Sequence, residues 1–277
     1  MEPEAPEAFD SHFHLDRLRK QLSLRRSLTF QQTLAAMDPV EPRVRVVGAV
    51  ANYCDRWSFP DDSELAANQE MNVTIGIHPK HASIISEGDI RALRRLLQHP
   101  RVSGLGEVGL DHSISWDKWH HQMNLLETVL PFLRENQVLV LHCRGMPNDS
   151  GNEAFLLLLA LLQKQGVPAT QKIHLHCFTG TRLVLKTWTD SYPGTYFGVT
   201  RTAVHFDEEQ KAALREVAAD KLLLETDAPY FPVPGQSASA PNHLGATAGV
   251  VVKIRGGSVE QLLRTTVQNA RQCYTRT

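Results

Sequence analysis

Eight short apolar runs constrain this chain more than anything else in it: Phe9–Leu15, Arg43–Ala51, Val73–His78, Val102–Leu110, Val138–Cys143, Ile173–Phe178, Tyr196–Thr200 and Leu222–Tyr230. Helical periodicity fills the stretches between them. Ile90, Leu93, Leu96 and Leu97, for instance, fall on one face, with Arg91, Arg94 and Arg95 on the other. Strand and helix in alternation imply parallel strands joined by crossovers. Eight such units within 277 residues fit a single α/β (β/α)8 TIM barrel, whose active site lies at the C-terminal ends of the strands. An open doubly wound sheet is the alternative. Against it, no Gly-x-Gly-x-x-Gly turn follows the first run, and polar residues collect at the end of nearly every run. Ser258 and Gln261 mark the start of a last helix with Leu262, Leu263, Val267 and Ala270 as its apolar stripe.

A chain of this size buries about 75% of its unfolded surface without disulfides or clips. The 29 Lys and Arg residues balance 30 Asp and Glu, so no global field draws in a polyanion, and any nucleic-acid contact has to be local. Cys54, Cys143, Cys177 and Cys273 are widely spaced, which suits a reducing compartment; in regular strands Cys143 and Cys177 face away from the neighbouring histidines and read as core. Residues 1–8 are acidic and proline-containing and read as a disordered lead-in, not a secretory signal, ahead of a barrel over 9–277. The longest apolar run, Ala154–Leu162, falls short of the ~20 residues of a membrane helix. A soluble, cytoplasmic or nuclear monomer is expected. Phe231–Gly245, rich in Pro, Gly, Ser and Ala, reads as an active-site loop after the eighth strand.

The chemistry lies at the strand ends. In Asp10-Ser11-His12-Phe13-His14 the two imidazoles sit two apart, hence on one strand face. A lone His-x-His also fits a solvated surface strand. Here, however, Gly76-Ile77-His78-Pro79, Gly104-Leu105-Gly106-Glu107-Val108-Gly109-Leu110-Asp111, His142-Cys143-Arg144, His174-Leu175-His176-Cys177-Phe178-Thr179-Gly180 and Glu225-Thr226-Asp227-Ala228-Pro229-Tyr230 follow at successive strand ends. Unpaired burial of so many polar groups would cost a few kcal/mol each, a cost that metal ions offset. Imidazole and carboxylate ligands suit Zn, Mn, Fe or Mg, and the number of groups exceeds what one tetrahedral ion uses. Two ions ~3.5–4 Å apart sharing a carboxylate is the natural arrangement, with Glu107 the candidate bridge.

This ordered set resembles the TatD family of metal-dependent nucleases among the amidohydrolase-like barrels, over Phe9–Tyr274. The resemblance implies two divalent ions (Mg, Mn or Zn) on His12, His14, Glu107, His142, His176 and Asp227, with His78 and Arg144 beside the substrate. It also implies exonuclease or endonuclease cleavage of DNA, with RNA or aminoacyl-tRNA as the substrate of some members. Departures are Pro241-Asn242-His243, where the family usually carries Arg-Asn-x-Pro, Val138 in place of a common proline, and the Trp- and His-rich segment Trp116, Trp119, His120, His121.

The residues admit the following roles. Asp227 is a ligand and either does or does not also take a proton. Arg144 either grips phosphate with its planar fork or pairs with a loop carboxylate. His78 either bonds a phosphate or leaving oxygen or caps the third strand. Glu225 and His174 support the ligands from behind, and Asp10 lies deeper as a structural hydrogen-bonding group. Trp116, Trp119, Tyr230 and Phe231 either stack an unpaired base or anchor loops. The function expected is phosphodiester hydrolysis of single-stranded or frayed DNA, with RNA as a further substrate, and with Asp227, Glu107, His78 and Arg144 as the catalytic group. The rivals are hydrolysis of an amide, lactone or aminoacyl ester at the same site, and a non-catalytic metal-holding protein.

Overall fold

The computed structural model describes residues 4–147 and 149–275. Its eight strands are β1 (Glu7–Phe13), β2 (Arg45–Tyr53), β3 (Met71–Ile75), β4 (Val102–Asp111), β5 (Val138–Arg144), β6 (Ile173–Leu175), β7 (Thr195–Val199) and β8 (Leu222–Leu224). All pair in parallel in the order β1 to β8. β1 and β8 close the ring: Ser11 Oγ donates to Leu224 O (2.8 Å), Asp227 N–H to His12 O (3.0 Å), and His14 N–H to Ala228 O (2.8 Å). The barrel expected from eight strand and helix units is the fold observed.

Most of the apolar core lies between the strands and the outer helices. Helix Glu87–Leu97 shows the pattern: Leu93, Leu96 and Leu97 are buried, and Ser86 and Asp89 cap its first turn reciprocally. A second cluster joins Phe9, Val50, Val140 and Tyr196 to Val267, Ala270 and Tyr274 of helix Val259–Tyr274. That helix, started by the Ser258 hydroxyl accepting the Gln261 N–H, plugs the barrel at the N-terminal end of the strands and leaves the other end for the site.

Several boundaries differ from expectation. Glu7 and Ala8, assigned to a disordered lead-in, belong to β1, because Ala8 is fully buried and Glu7 registers opposite Arg45. Residues 1–3 of that lead-in lie outside the described residues. β6 and β8 stop at Leu175 and Leu224, short of the runs read as strands, and Cys177 (φ 48°) and Asp227 (φ 52°) leave the extended region soon after. Phe231–Gly245 is not loop throughout: its Pro241–His243 turn leads into helix Leu244–Arg255. There Asn242 Nδ2 and His243 Nε2 donate to Met37 O (3.0 Å) and Asp38 O (2.9 Å), a strap to the segment behind β1 that brings no cation to the cleft. No helix among the described residues is long and apolar enough to cross a membrane.

Candidate metal centre

Glu107 sits where β4 bulges. The register with β5 shifts between Leu105 and Val108, and Gly106, at φ 155°, allows the backbone to press against Val140, whose Cβ would lie 2.5 Å from any side chain placed there. The carboxylate so presented looks two ways. Its Oε2 lies 3.4 Å from His12 Nε2 and 3.5 Å from His14 Nε2; its Oε1 lies 2.7 Å from His142 Nδ1, 3.4 Å from His78 Nε2 and 3.8 Å from His176 Nε2. Asp227 Oδ1 faces the first pair, 3.7 Å from His12 Nε2 and 3.3 Å from His14 Nε2. Asp227 and Glu225, two residues apart, do not point the same way as they would in a regular strand. The left-handed turn at Asp227 points its carboxylate at β1, while Glu225 faces β6.

These residues fit divalent cations. His12 Nε2 and Asp227 Oδ1 are buried with no hydrogen-bond partner among the described residues, a state costing a few kcal/mol unless a ligand supplies one. His12, His14 and Asp227 form one group able to hold an ion, and His12, Glu107 and His176 another. The outer ring nitrogens are fixed from behind. His14 Nδ1 donates to Asn52 O (2.9 Å), leaving Nε2 as the lone pair. His142 Nε2 meets Asp111 Oδ2 (3.0 Å), and His176 Nδ1 meets Glu225 Oε2 (3.3 Å). Glu225 Oε1 also accepts the Cys177 N–H (2.6 Å), and Gly198 leaves β7 bare so that Glu225 and His174 fit inside the barrel. His174 itself reaches Tyr274 OH (2.7 Å). Asp10 accepts from Thr226 N–H (3.0 Å), Thr226 OH (2.5 Å) and His12 N–H (3.3 Å), tying β1 to β8 beneath the site.

Burial alone would raise both carboxyls at the centre. The surrounding imidazoles outweigh it, holding Asp227 at about 2 and Glu107 well below the usual range. Burial and the neighbouring His176 push His12 down to about 3, and burial with His142 keeps His78 neutral. His176 goes the other way: the neighbouring carboxylates of Glu225, Glu107 and Asp227 overcome its burial and hold it well above the ordinary histidine value. A proton would therefore compete with any cation at His176.

A cleft of about 380 Å³ opens over this centre, its rim carrying Arg17, Trp57, Lys80, Arg144 and Tyr230. A second hollow of about 260 Å³, with Met146, Thr179, Thr202 and Gln210 in its walls, adjoins it across Arg144 and Phe231. The Arg144 side chain is exposed and has no carboxylate partner among the described residues. His78 Nδ1 accepts the Lys80 N–H (3.1 Å), so its Nε2 carries the proton and can donate into the cleft.

The structure brings His12, His14, His78, Glu107, His142, His176 and Asp227 together with Arg144, and Tyr230 and Phe231 line the cleft. Trp116 is exposed and lines neither hollow; Trp119 stacks on His112 (3.7 Å between centroids) and donates to Ile114 O, so it anchors its loop. Cys177, read as facing away from the histidines, instead turns its Sγ to 3.7 Å from Asp227 Oδ2, because its positive φ reverses the strand alternation. Cys54 lies 3.7 Å from Glu107 Oε2. Sequence reasoning missed Arg17, Asp55, Trp57, Lys80 and the supporting role of Asp111. Asp111 ends β4 and is the one of these with a visible signal, as a polar residue at a strand end; the others come from loops and helix starts whose direction no periodicity encodes.

A parallel eight-stranded barrel with imidazoles and carboxylates gathered at the C-terminal strand ends defines a metal-dependent hydrolase of the TIM-barrel class. Within that class the chain belongs to the TatD related DNase family, whose model matches residues 9–275. It is 32% identical to the human 3'-5' RNA nuclease TATDN2 over 83% of this chain, spanning only 30% of that protein. It is 33% identical to the 3'-5' ssDNA/RNA exonuclease TatD of Erwinia amylovora over 81% of this chain and 79% of that one. The crystal structure of YJJV, a TatD homolog from Escherichia coli, shares the fold with a TM-score of 0.73 at 20% identity, over 96% of this chain and 97% of the other.

Proposed function

We propose that this chain is a metal-dependent exonuclease hydrolysing phosphodiester bonds in single-stranded or frayed DNA and in RNA, with the 3'-5' direction named for its relatives. The observation carrying this reading is Glu107, with one oxygen toward His12 and His14 and the other toward His142 and His176, with the exposed guanidinium of Arg144 on the rim of the same cleft. His12, His14, Asp227 and Glu107 Oε2 would hold one divalent ion, and Glu107 Oε1, His142 and His176 a second. Such ions (Mg, Mn or Zn) supply an acidified water and positive charge for phosphoryl oxygens. Arg144 grips two oxygens of the phosphate, and the His78 Nε2–H hydrogen-bonds a phosphate or leaving oxygen. Asp227 also takes the proton of the attacking water.

The test is incubation of pure protein with end-labelled single-stranded DNA and RNA in Mg, Mn or Zn, beside ester, lactone and amide substrates. Arg144→Lys should keep its metal and lose about 1.5–3 kcal/mol of transition-state stabilisation on oligonucleotides. Turnover of carbonyl substrates alone, or oligonucleotide cleavage untouched by Arg144→Lys, would replace this reading with the carbonyl hydrolase.

A further inference from the structure

Arg17 enters the cleft with one edge of its guanidinium already bound and the other turned toward the metal centre. Nε and Nη2 each donate to an oxygen of Asp55 at 2.8 Å, and Nη2 also touches Cys54 Sγ at 3.1 Å. Nη1 lies 3.3 Å from the Tyr230 hydroxyl and 3.3 Å from His14 Nε2. The placement follows from spacing: Arg17 is three residues beyond His14, in the first turn of helix Leu15–Gln21, where i and i+3 side chains meet. A cation in a first helical turn opposes the helix dipole, so helix stability does not explain an arginine here.

The contact between Nη1 and His14 belongs to the metal-free protein. His14 gives its Nδ1–H to Asn52 O, so Nε2 is the ring's lone pair and the atom it would offer a cation. Once that lone pair is taken, Nη1 keeps only the Tyr230 hydroxyl and has an N–H free for a ligand oxygen seated beside His14. Arg144 faces the same space from β5, four strands away from β1 in a ring of eight.

We propose that Arg17 is a second phosphate-binding arginine of this chain, gripping a non-bridging oxygen of the scissile phosphate from the side of the cleft opposite Arg144. Asp55 and Tyr230 are its positioning residues: Asp55 fixes the guanidinium plane, so little rotamer freedom is lost when the oxygen arrives. That the phosphate is the scissile one rests on the nuclease reading above; the phosphate site itself does not.

The test is calorimetric binding of inorganic phosphate to metal-loaded protein, with acetohydroxamate as a metal-directed probe that is not a tetrahedral oxyanion. R17M should weaken phosphate binding roughly ten- to hundredfold, the worth of one charge-assisted hydrogen bond, and weaken acetohydroxamate binding clearly less. R17K should recover part of the loss, since it restores charge but not the fork. D55N, which loosens the guanidinium without removing it, should weaken phosphate severalfold. Phosphate affinity in R17M within twofold of the wild type overturns the proposal. Should R17M not fold, R17K and D55N decide, and wild-type phosphate affinity in both overturns it equally. A wild type that binds phosphate through Arg17 yet cleaves no oligonucleotide upholds the Arg17 site and removes the nuclease reading.

Discussion

Asp111 tests the centre from behind. Its Oδ1 accepts the Ser113 N–H at 3.0 Å as well as the Ser113 hydroxyl, which leaves Oδ2 to face His142 Nε2 at 3.0 Å, with Lys80 Nζ 3.5 Å away. Taking the Nε2–H of His142 leaves Nδ1, the nitrogen beside Glu107, as the lone pair available to a cation. Removing this support with Asp111→Ala should weaken one metal by 10–100-fold, about 1.4–2.7 kcal/mol, because His142 then exchanges between tautomers and rotates. Asp111→Asn, nominally the gentler change, should cost at least as much. The Ser113 backbone N–H cannot swing away, so it pins the amide oxygen on its own side and turns the amide NH2 against His142 Nε2. Lys80 is half-exposed and can move aside. An NH2 donor there makes Nε2 the acceptor and puts the proton on Nδ1, where it blocks coordination. Metal titration by calorimetry, with elemental analysis and circular dichroism as controls, measures both variants. Metal affinity in Asp111→Asn within twofold of wild type, or clearly better than in Asp111→Ala, would refute the tautomer argument.

Removing the proposed bridge with Glu107→Ala should lose at least one metal and nearly all turnover, since nothing else would neutralise both ions; two tightly held metals by elemental analysis would remove that role. Asp227→Asn should retain metal better than activity, because an amide oxygen still coordinates but takes up no proton, and a rate within a few fold of wild type would leave Asp227 a ligand only. Metal uptake should strengthen as pH rises. His176 is held well above the ordinary histidine value without metal, so below that raised pKa an ion must displace its proton, and apparent affinity gains up to about tenfold per pH unit until the pKa is passed. Calorimetry in buffers of different ionisation enthalpy counts the proton released; zero protons at neutral pH would contradict the assignment.

The barrel was legible because its signal is repetitive and local. Each apolar run and each amphipathic stretch reports its own period, and eight repeats in one chain leave few architectures. The candidate site was legible for a related reason, since a histidine or carboxylate at the end of an apolar strand contradicts the pattern around it. Tertiary structure decided what depends on direction. Glu107 divides its oxygens between two groups only because Gly106 lets β4 bulge against Val140. Cys177 and Asp227 point where strand alternation would not send them, because both adopt positive φ. Arg17 and Asp55 are 38 residues apart and meet over His14 only because β1 and β2 pair in the register that places Phe13 against Ala51. Periodicity fixes which face of an element is buried, but the packing of one element on another fixes where its end aims, and that information is not carried by any single stretch of sequence.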